Sequence, residues 1–226
     1  ALSGSAVCYA IDALSWLAML GALLLIANAA TGVSRRSNGS WAALHEGLVF
    51  VWTHPVILSL MVLDFGATFF GSARALYPIY AQSILHVGAT GIGVLYASTA
   101  VGSVLAAVVV SRLGQVRHAG LWTLYGVAAY GVCTVLFAIS PVFWFSVLML
   151  AGAGAGNLVS SVLRGTINQL STPNELRGRV SAVNSIFVMG GPQLGQFESG
   201  VVAQAGSTQF SAASGGVACV LLVLGL

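Results

Sequence analysis

Between Arg117 and Arg164 no Asp, Glu, Lys or Arg interrupts the chain, and that stretch is long enough to cross a bilayer twice. Only 6% of the 226 residues are charged, against about a quarter in a soluble domain, so no soluble surface can be built from them. Several other apolar runs also reach the ~20 residues that a membrane helix needs. Mean hydropathy is +0.95. The expected fold class is therefore all-α, a polytopic membrane helix bundle with lipid as its surroundings. The formal net charge of +3 is not gathered into a basic patch interleaved with aromatic residues, so no nucleic-acid partner is expected.

Seven crossings are expected, at 4–27, 55–80, 91–111, 119–140, 142–164, 178–204 and 209–226. His54-Pro55 puts proline at a first helical position, where its missing donor costs nothing. Ser140-Pro141 leaves room only for a tight hairpin. Thr172-Pro173-Asn174-Glu175 matches a capping box opening the helix that contains Val180. The first apolar run lacks a basic n-region and reads as a span rather than a leader. The chain opens near one membrane segment and stops inside another, which reads as part of a longer protein. Cys8, Cys133 and Cys219 have no paired spacing and are expected as buried thiols, neither disulfides nor metal ligands.

Arg35, Arg36, Arg112, Arg117, Arg164, Arg177 and Arg179 all fall at one end of these spans, and only Arg74 falls at the other. The positive-inside rule then makes 28–53, 112–118 and 165–177 cytoplasmic. Within the first of these loops, Ser40 is placed to cap a short helix. Its Trp41, Leu44, Leu48, Val51 and Trp52 cluster on one side, while His45 and Glu46 fall away. Such a segment is expected to lie along the membrane surface.

Ionisable groups inside spans are costly and are functional candidates by default. Asp64 lies about 15 Å into its span at 1.5 Å per residue, with Thr68 and Gly71 on the same face. Asn157, Ser161, Arg164 and Asn168 draw a polar stripe down another helix, with Arg164 expected at its cytoplasmic end. Gly190-Gly191-Pro192 is expected to weaken a third span and act as a hinge. Gln193, Gln196 and Glu198 follow it. From depth alone, Glu198 pairs with Arg74 at the outer mouth. Asp12 reads as a structural hydrogen-bonding group, and the four histidines fall at helix ends or loops without metal spacing. Gly152, Gly154 and Gly156, and the Ser211, Gly215, Cys219 series, read as faces for close helix packing. GAGAGN (152–157) lies mid-span and lacks the Gly-Lys-Ser/Thr ending of a phosphate loop. No zinc or nucleophile pattern occurs, so neither cofactor nor enzyme activity is expected.

Three stretches carry a resemblance. TPNELRGRVSAVN (172–184) resembles the loop between spans ten and eleven of major facilitator superfamily transporters. GGPQLGQFESG (190–200) and LDFGATFFGSARALYPIYAQ (63–82) resemble the eleventh and seventh spans of the branch that includes bacterial siderophore (enterobactin-type) exporters. AVVVSRLGQVR (107–117) is similar to the family's G-x-L-A-D-R-x-G-R-R loop. It keeps Arg112 and Gly114, but Ser111 replaces the acidic residue, which removes a strong salt-bridge latch there.

The resemblance implies spans six to twelve. Residues 1–27 would be the sixth helix, 28–53 the cytoplasmic linker, and 54–226 a six-helix bundle of two inverted three-helix repeats with its last helix clipped. It further implies that Asp64, Phe65, Thr68, Asn157, Ser161 and Gln193 face a substrate or coupling cavity. Arg112, Gly114, Arg117, Arg164, Arg177, Gly178 and Arg179 would form a cytoplasmic gate, with Gly178 allowing close backbone approach; simple topology anchoring is the alternative for these arginines. The implied activity is alternating-access efflux of a small, partly hydrophobic molecule from the bacterial inner membrane. Its partners would be the substrate, protons and an N-terminal half. A non-transporting membrane scaffold, or the permease subunit of an ATP-driven transporter, stays open beside it.

Overall fold

The computed structural model describes residues 2–27, 40–112 and 117–225, which fall into two compact units, 1–40 and 41–226. The first unit holds α1 (Leu2–Ala27), an uninterrupted apolar helix in which the Ser15 hydroxyl donates to the Asp12 carbonyl at 2.7 Å. The second begins with α2 (Ser40–Thr53), whose proposed cap by the Ser40 side chain lies outside what is described. Next come α3 (Pro55–Phe70), a 3-10 turn (Ala73–Leu76), the single turn α4 (Tyr77–Ile79) and a wide π turn (Tyr80–Ile84). The remaining helices are α5 (Gly88–Arg112), α6 (Ala119–Ile139), α7 (Phe143–Ser171), α8 (Arg177–Ala205) and α9 (Thr208–Leu224). No strand occurs among the described residues.

Four segments are long and apolar enough to span a membrane: Pro55–Ile84, α5, α6 and α7. Two shorter apolar stretches, Ala10–Leu24 and Thr208–Leu224, accompany them. α8 has membrane length, but Arg177, Arg179, Asn184, Gln193, Gln196 and Glu198 dilute its apolar character. Length and composition thus qualify four of the seven expected crossings.

Local chemistry explains where the boundaries differ from expectation. The span expected at 55–80 breaks at Gly71-Ser72. Pro78 then withholds the donor that a regular helix would offer the Arg74 carbonyl. That carbonyl instead receives the Tyr77 N–H and, at 3.1 Å, the Tyr96 hydroxyl. The capping box is also not formed. Thr172 closes α7 by donating to the Asn168 carbonyl at 2.6 Å, and α8 starts only at Arg177 after a turn on the Pro173 carbonyl. By contrast Pro55 does open α3, and Ser140 bridges α6 to α7 by accepting the Val142 N–H at 3.1 Å. α8 continues as helix through Gly190, Gly191 and Pro192, the place expected to act as a hinge.

The helix contacts obey an exchange. α3 packs on α8 and α9, while α7 packs on α5 and α6; α6 meets α9. Swapping α3, α5, α6 for α7, α8, α9 exchanges these contacts among themselves, as two three-helix repeats would, although α8 also packs on α9 whereas α5 and α6 touch little. The short connections make successive helices alternate in direction, so the repeats are inverted.

Small residues hold the contacts close. A Cβ on Gly102 would overlap the Ala151 carbonyl, and one on Gly154 the Thr99 carbonyl, which fixes α5 against α7. Gly195 sits in the same way on the Phe69 carbonyl, and Gly215 on that of Phe70, which fixes α8 and α9 against α3. Gly126 and Gly156 face each other across α6 and α7, as the sequence faces led one to expect. The apolar core is layered along the helices. Leu76, Tyr80, Leu95 and Phe137 lie at one end, Leu63, Val127 and Cys219 in the middle, and Val51, Ile57, Met61 and Val183 at the other.

This packing sets a contrast between glycines. Gly102→Val meets backbone that cannot move aside, and is expected to abolish folded yield or lower the melting temperature in detergent by many degrees. Gly190→Ala meets open space and removes a residue that costs a helix about 1 kcal/mol. It should leave the melting temperature unchanged or raised, as fluorescence-detected thermal unfolding would read.

Candidate functional site

Asp64 and Arg164 form a buried ion pair between α3 and α7, Arg164 Nη2 donating to Asp64 Oδ1; the side chains are 4% and 7% exposed. Asp64 stands nine residues into α3, about 14 Å from its start, and Arg164 seven residues before the end of α7, about 11 Å up. The two helices run in opposite directions, so those heights agree. This corrects the expectation that Arg164 marks a helix end at the cytoplasmic rim. α7 continues two turns further, to Ser171, and draws the guanidinium inward.

The pair is oriented from one side only. Arg164 Nη1 also donates to Ser160 Oγ at 3.0 Å, one turn back on α7. Among the described residues Asp64 Oδ2 has no partner, and neither does Asn168 Oδ1 one turn below Arg164, although both are buried. An unmatched buried acceptor costs about 1–3 kcal/mol, and both of these invite a donor.

Beyond the pair, towards the end where α3 breaks, lies a cavity of about 200 Å³. Thr68, Tyr77, Thr99, Ser103, Tyr130 and Asn157 bring hydroxyls and an amide to its wall, with Arg74 at its edge. Thr68 and Asn157 thus border one polar space. Tyr130 donates to the Gly71 carbonyl and Ser72 to that of Pro192 at 3.4 Å, so the break in α3 is tied to both α6 and α8. Phe65 packs its ring on Phe69 and Phe187 beside this region. Ser161 and Gln193 are exposed, and neither lines the cavity.

The remaining arginines separate into different environments. Arg179 ion-pairs with Glu46 of α2. Close backbone approach occurs at Gly47, where a Cβ would lie 3.0 Å from the Arg179 carbonyl. Gly178, expected to permit such an approach, faces open space. Arg177 Nε donates to the Thr172 carbonyl at 3.4 Å, beside a cavity of about 110 Å³ that also touches Asn168 and Asn184. Arg112 and Arg117 are exposed without an ion pair among the described residues, and Gly114 lies outside those residues. Among the described residues Arg74 and Glu198 form no ion pair. Arg74 borders the polar cavity instead.

Sequence reasoning missed Ser160 and Glu46. Ser160 carried a signal, because it stands four residues before Arg164 and so on the same helix face. Glu46 carried only its sign, an acid in a region rich in arginine.

Known proteins can now be set beside this geometry. Enterobactin exporter EntS of Salmonella choleraesuis (strain SC-B67) is 31% identical over 141 residues, 62% of this chain and 34% of that protein. The enterobactin exporter EntS of Citrobacter koseri is 29% identical over 134 residues, 59% of this chain and 32% of its own length. That of Escherichia coli O81 (strain ED1a) is 28% identical over 141 residues, 62% of this chain and 34% of its own length. The match thus spans about a third of the length of these relatives. No solved structure matches the chain. The family described as transmembrane secretion effector, within the major facilitator superfamily, matches residues 1–226, and this chain belongs to it.

Proposed function

We propose that residues 1–226 are the C-terminal part, spans six to twelve, of an exporter in the bacterial inner membrane that works by alternating access. The observation that carries this reading is the Asp64–Arg164 pair. It joins the first helices of two inverted repeats, which otherwise touch little. A charged link buried between such elements suits a contact made in one conformation and broken in another. The relatives named enterobactin exporters support outward transport, and the substrate in this reading is a small, partly hydrophobic molecule such as a siderophore.

The coupling ion in this reading is the proton. Protonation of Asp64 at the unpartnered Oδ2 removes the negative charge that holds Arg164 and frees α3 from α7. Deprotonation restores the pair. The polar cavity bordered by Thr68 and Asn157 then offers hydrogen bonds to the substrate. The arginine-rich end, with Arg112, Arg117, Arg177 and the Arg179–Glu46 pair, closes the cytoplasmic side.

Removing one member of a buried pair strands the other charge and costs about 3–5 kcal/mol, whereas neutralising both is close to neutral. In the complete transporter, Asp64→Asn or Arg164→Gln alone should therefore lower both melting temperature and efflux. The double variant Asp64→Asn/Arg164→Gln should recover the melting temperature but not proton-driven efflux in inverted vesicles. Efflux at the parental rate from the double variant would sink the coupling role, and full efflux from either single variant would sink the switch itself.

Sidedness has its own test. Single cysteines at His118 and Asn174, in a background without the native three, should react with an impermeant maleimide only after cells are opened. Cysteines at His86 and Ser207 should react in intact cells. Labelling of His118 and Asn174 positions from opposite sides would overturn the topology.

A further inference from the structure

An apolar groove of about 880 Å³ has α7 as its floor and α5 and α6 beside it. The transport reading shares only Arg117, at one end of it, and leaves its apolar length unused. We infer that this groove holds an acyl chain of one anionic phospholipid, with the lipid phosphate on Arg117.

Position fixes the side from which the occupant comes. On α7 the groove takes Gly152, Ala155, Val159 and Leu163, whereas the polar stripe takes Asn157, Ser161 and Asn168. Ala155 and Asn157 stand two residues apart, as do Val159 and Ser161, hence roughly 200° round the helix. The groove therefore opens away from the polar passage, towards lipid. Ala106 on α5 and Ala155 on α7 line it with side chains no longer than a methyl group.

Length and charge narrow the occupant further. From Leu148 to Leu163 the groove follows α7 for about 22 Å at 1.5 Å per residue. One leaflet of a hydrocarbon core is about 15 Å deep, half of ~30 Å, so a whole lipid chain fits along it. At the end where α5 stops and α6 begins, Arg117 lines the groove, exposed and without a hydrogen bond or ion pair among the described residues. No acidic side chain is among the described residues that line the groove. Trp122, also in the lining, stacks edge-on with Tyr125 one turn from that rim, at the level where aromatic rings meet headgroups. An unpaired arginine beside an apolar channel at a helix end matches a phosphate carrying an acyl chain, and basic pockets between membrane helices take anionic headgroups in this way.

The test uses the complete transporter, partly delipidated and analysed by native mass spectrometry with added phosphatidylglycerol or phosphatidylcholine. Phosphatidylglycerol should be retained in preference to phosphatidylcholine. Arg117→Ala should weaken its retention roughly tenfold, the scale of one charge-assisted hydrogen bond, and Ala155→Leu should displace the chain. If Ala155→Leu does not fold, phosphatidylglycerol brominated on its chains should quench a fluorescence component present in the parent and missing from Trp122→Phe. Equal retention of the two lipids, no effect of Arg117→Ala, no Trp122 quenching, or a second protein copy crosslinked across the groove would each overturn the inference.

Discussion

Helices immersed in lipid gain nothing from leaving it for one another's apolar surfaces, so their association rests on close van der Waals approach and on polar contacts between them. In this bundle that approach is made at glycine. Gly102 and Gly154 bring α5 onto backbone carbonyls of α7 and the reverse, and Gly195 and Gly215 bring α8 and α9 onto α3. Because the partner atoms are carbonyls rather than flexible side chains, each contact fixes helix separation and register together. The height at which Asp64 can reach Arg164 follows from those registers. So does the polar cavity, which exists because α3 breaks next to two helices held near enough to receive Tyr130 and Ser72 on its loosened backbone.

Within such a frame a buried ion pair is weak evidence for stability. Desolvating carboxylate and guanidinium costs several kcal/mol per ion, and apolar side chains of similar volume often do as well or better. The Asp64–Arg164 pair is also incompletely matched, since one carboxylate oxygen and the nearby Asn168 oxygen stay without donors. A pair optimised for strength would have recruited partners for both. The geometry is that of a contact with room for one more hydrogen, between helices whose other contacts are few. The glycine seams make the close contacts between helices, and the pair adds a single polar link between α3 and α7.

Much of this was legible from residues alone, and the losses have specific causes. Helical rise placed Asp64 at the right depth because Pro55 marks the start of α3 without ambiguity. The same arithmetic misplaced Arg164 because hydropathy ends the apolar run there, while the backbone continues through Thr166, Asn168 and Gln169 to Ser171. A polar helix extension is invisible to a hydropathy criterion. Thr172 was read as a cap for the following helix. Its hydroxyl bonds backwards to Asn168, a competition between local acceptors that spacing does not decide. The small-residue faces were readable because clustered glycines inside a membrane span have one common use. Gly47 was not, since a single glycine on a short helix gives no period, and only the fold shows that the Arg179 backbone lies against it.

That last contact determines how α2 belongs to the bundle. The Glu46–Arg179 pair is partly exposed, 55% and 34% respectively, and pairs of that kind contribute no more than about 1 kcal/mol. Burial of Val51 among Ile57, Met61, Val180 and Val183 contributes more, about 1.5–3 kcal/mol for one apolar side chain of this kind. The ion pair therefore sets the rotation of α2, while Val51 and the close seat of Gly47 hold it in place. Trp41, Leu48 and Trp52 remain outward on the other flank, where a membrane surface can receive them. Any displacement of the start of α8 must carry α2 along or strip Val51 from its pocket, and α8 in turn is tied through Pro192 to the break in α3. The linker is thus joined mechanically to the broken helix beside the polar cavity, although no residue of α2 touches that cavity.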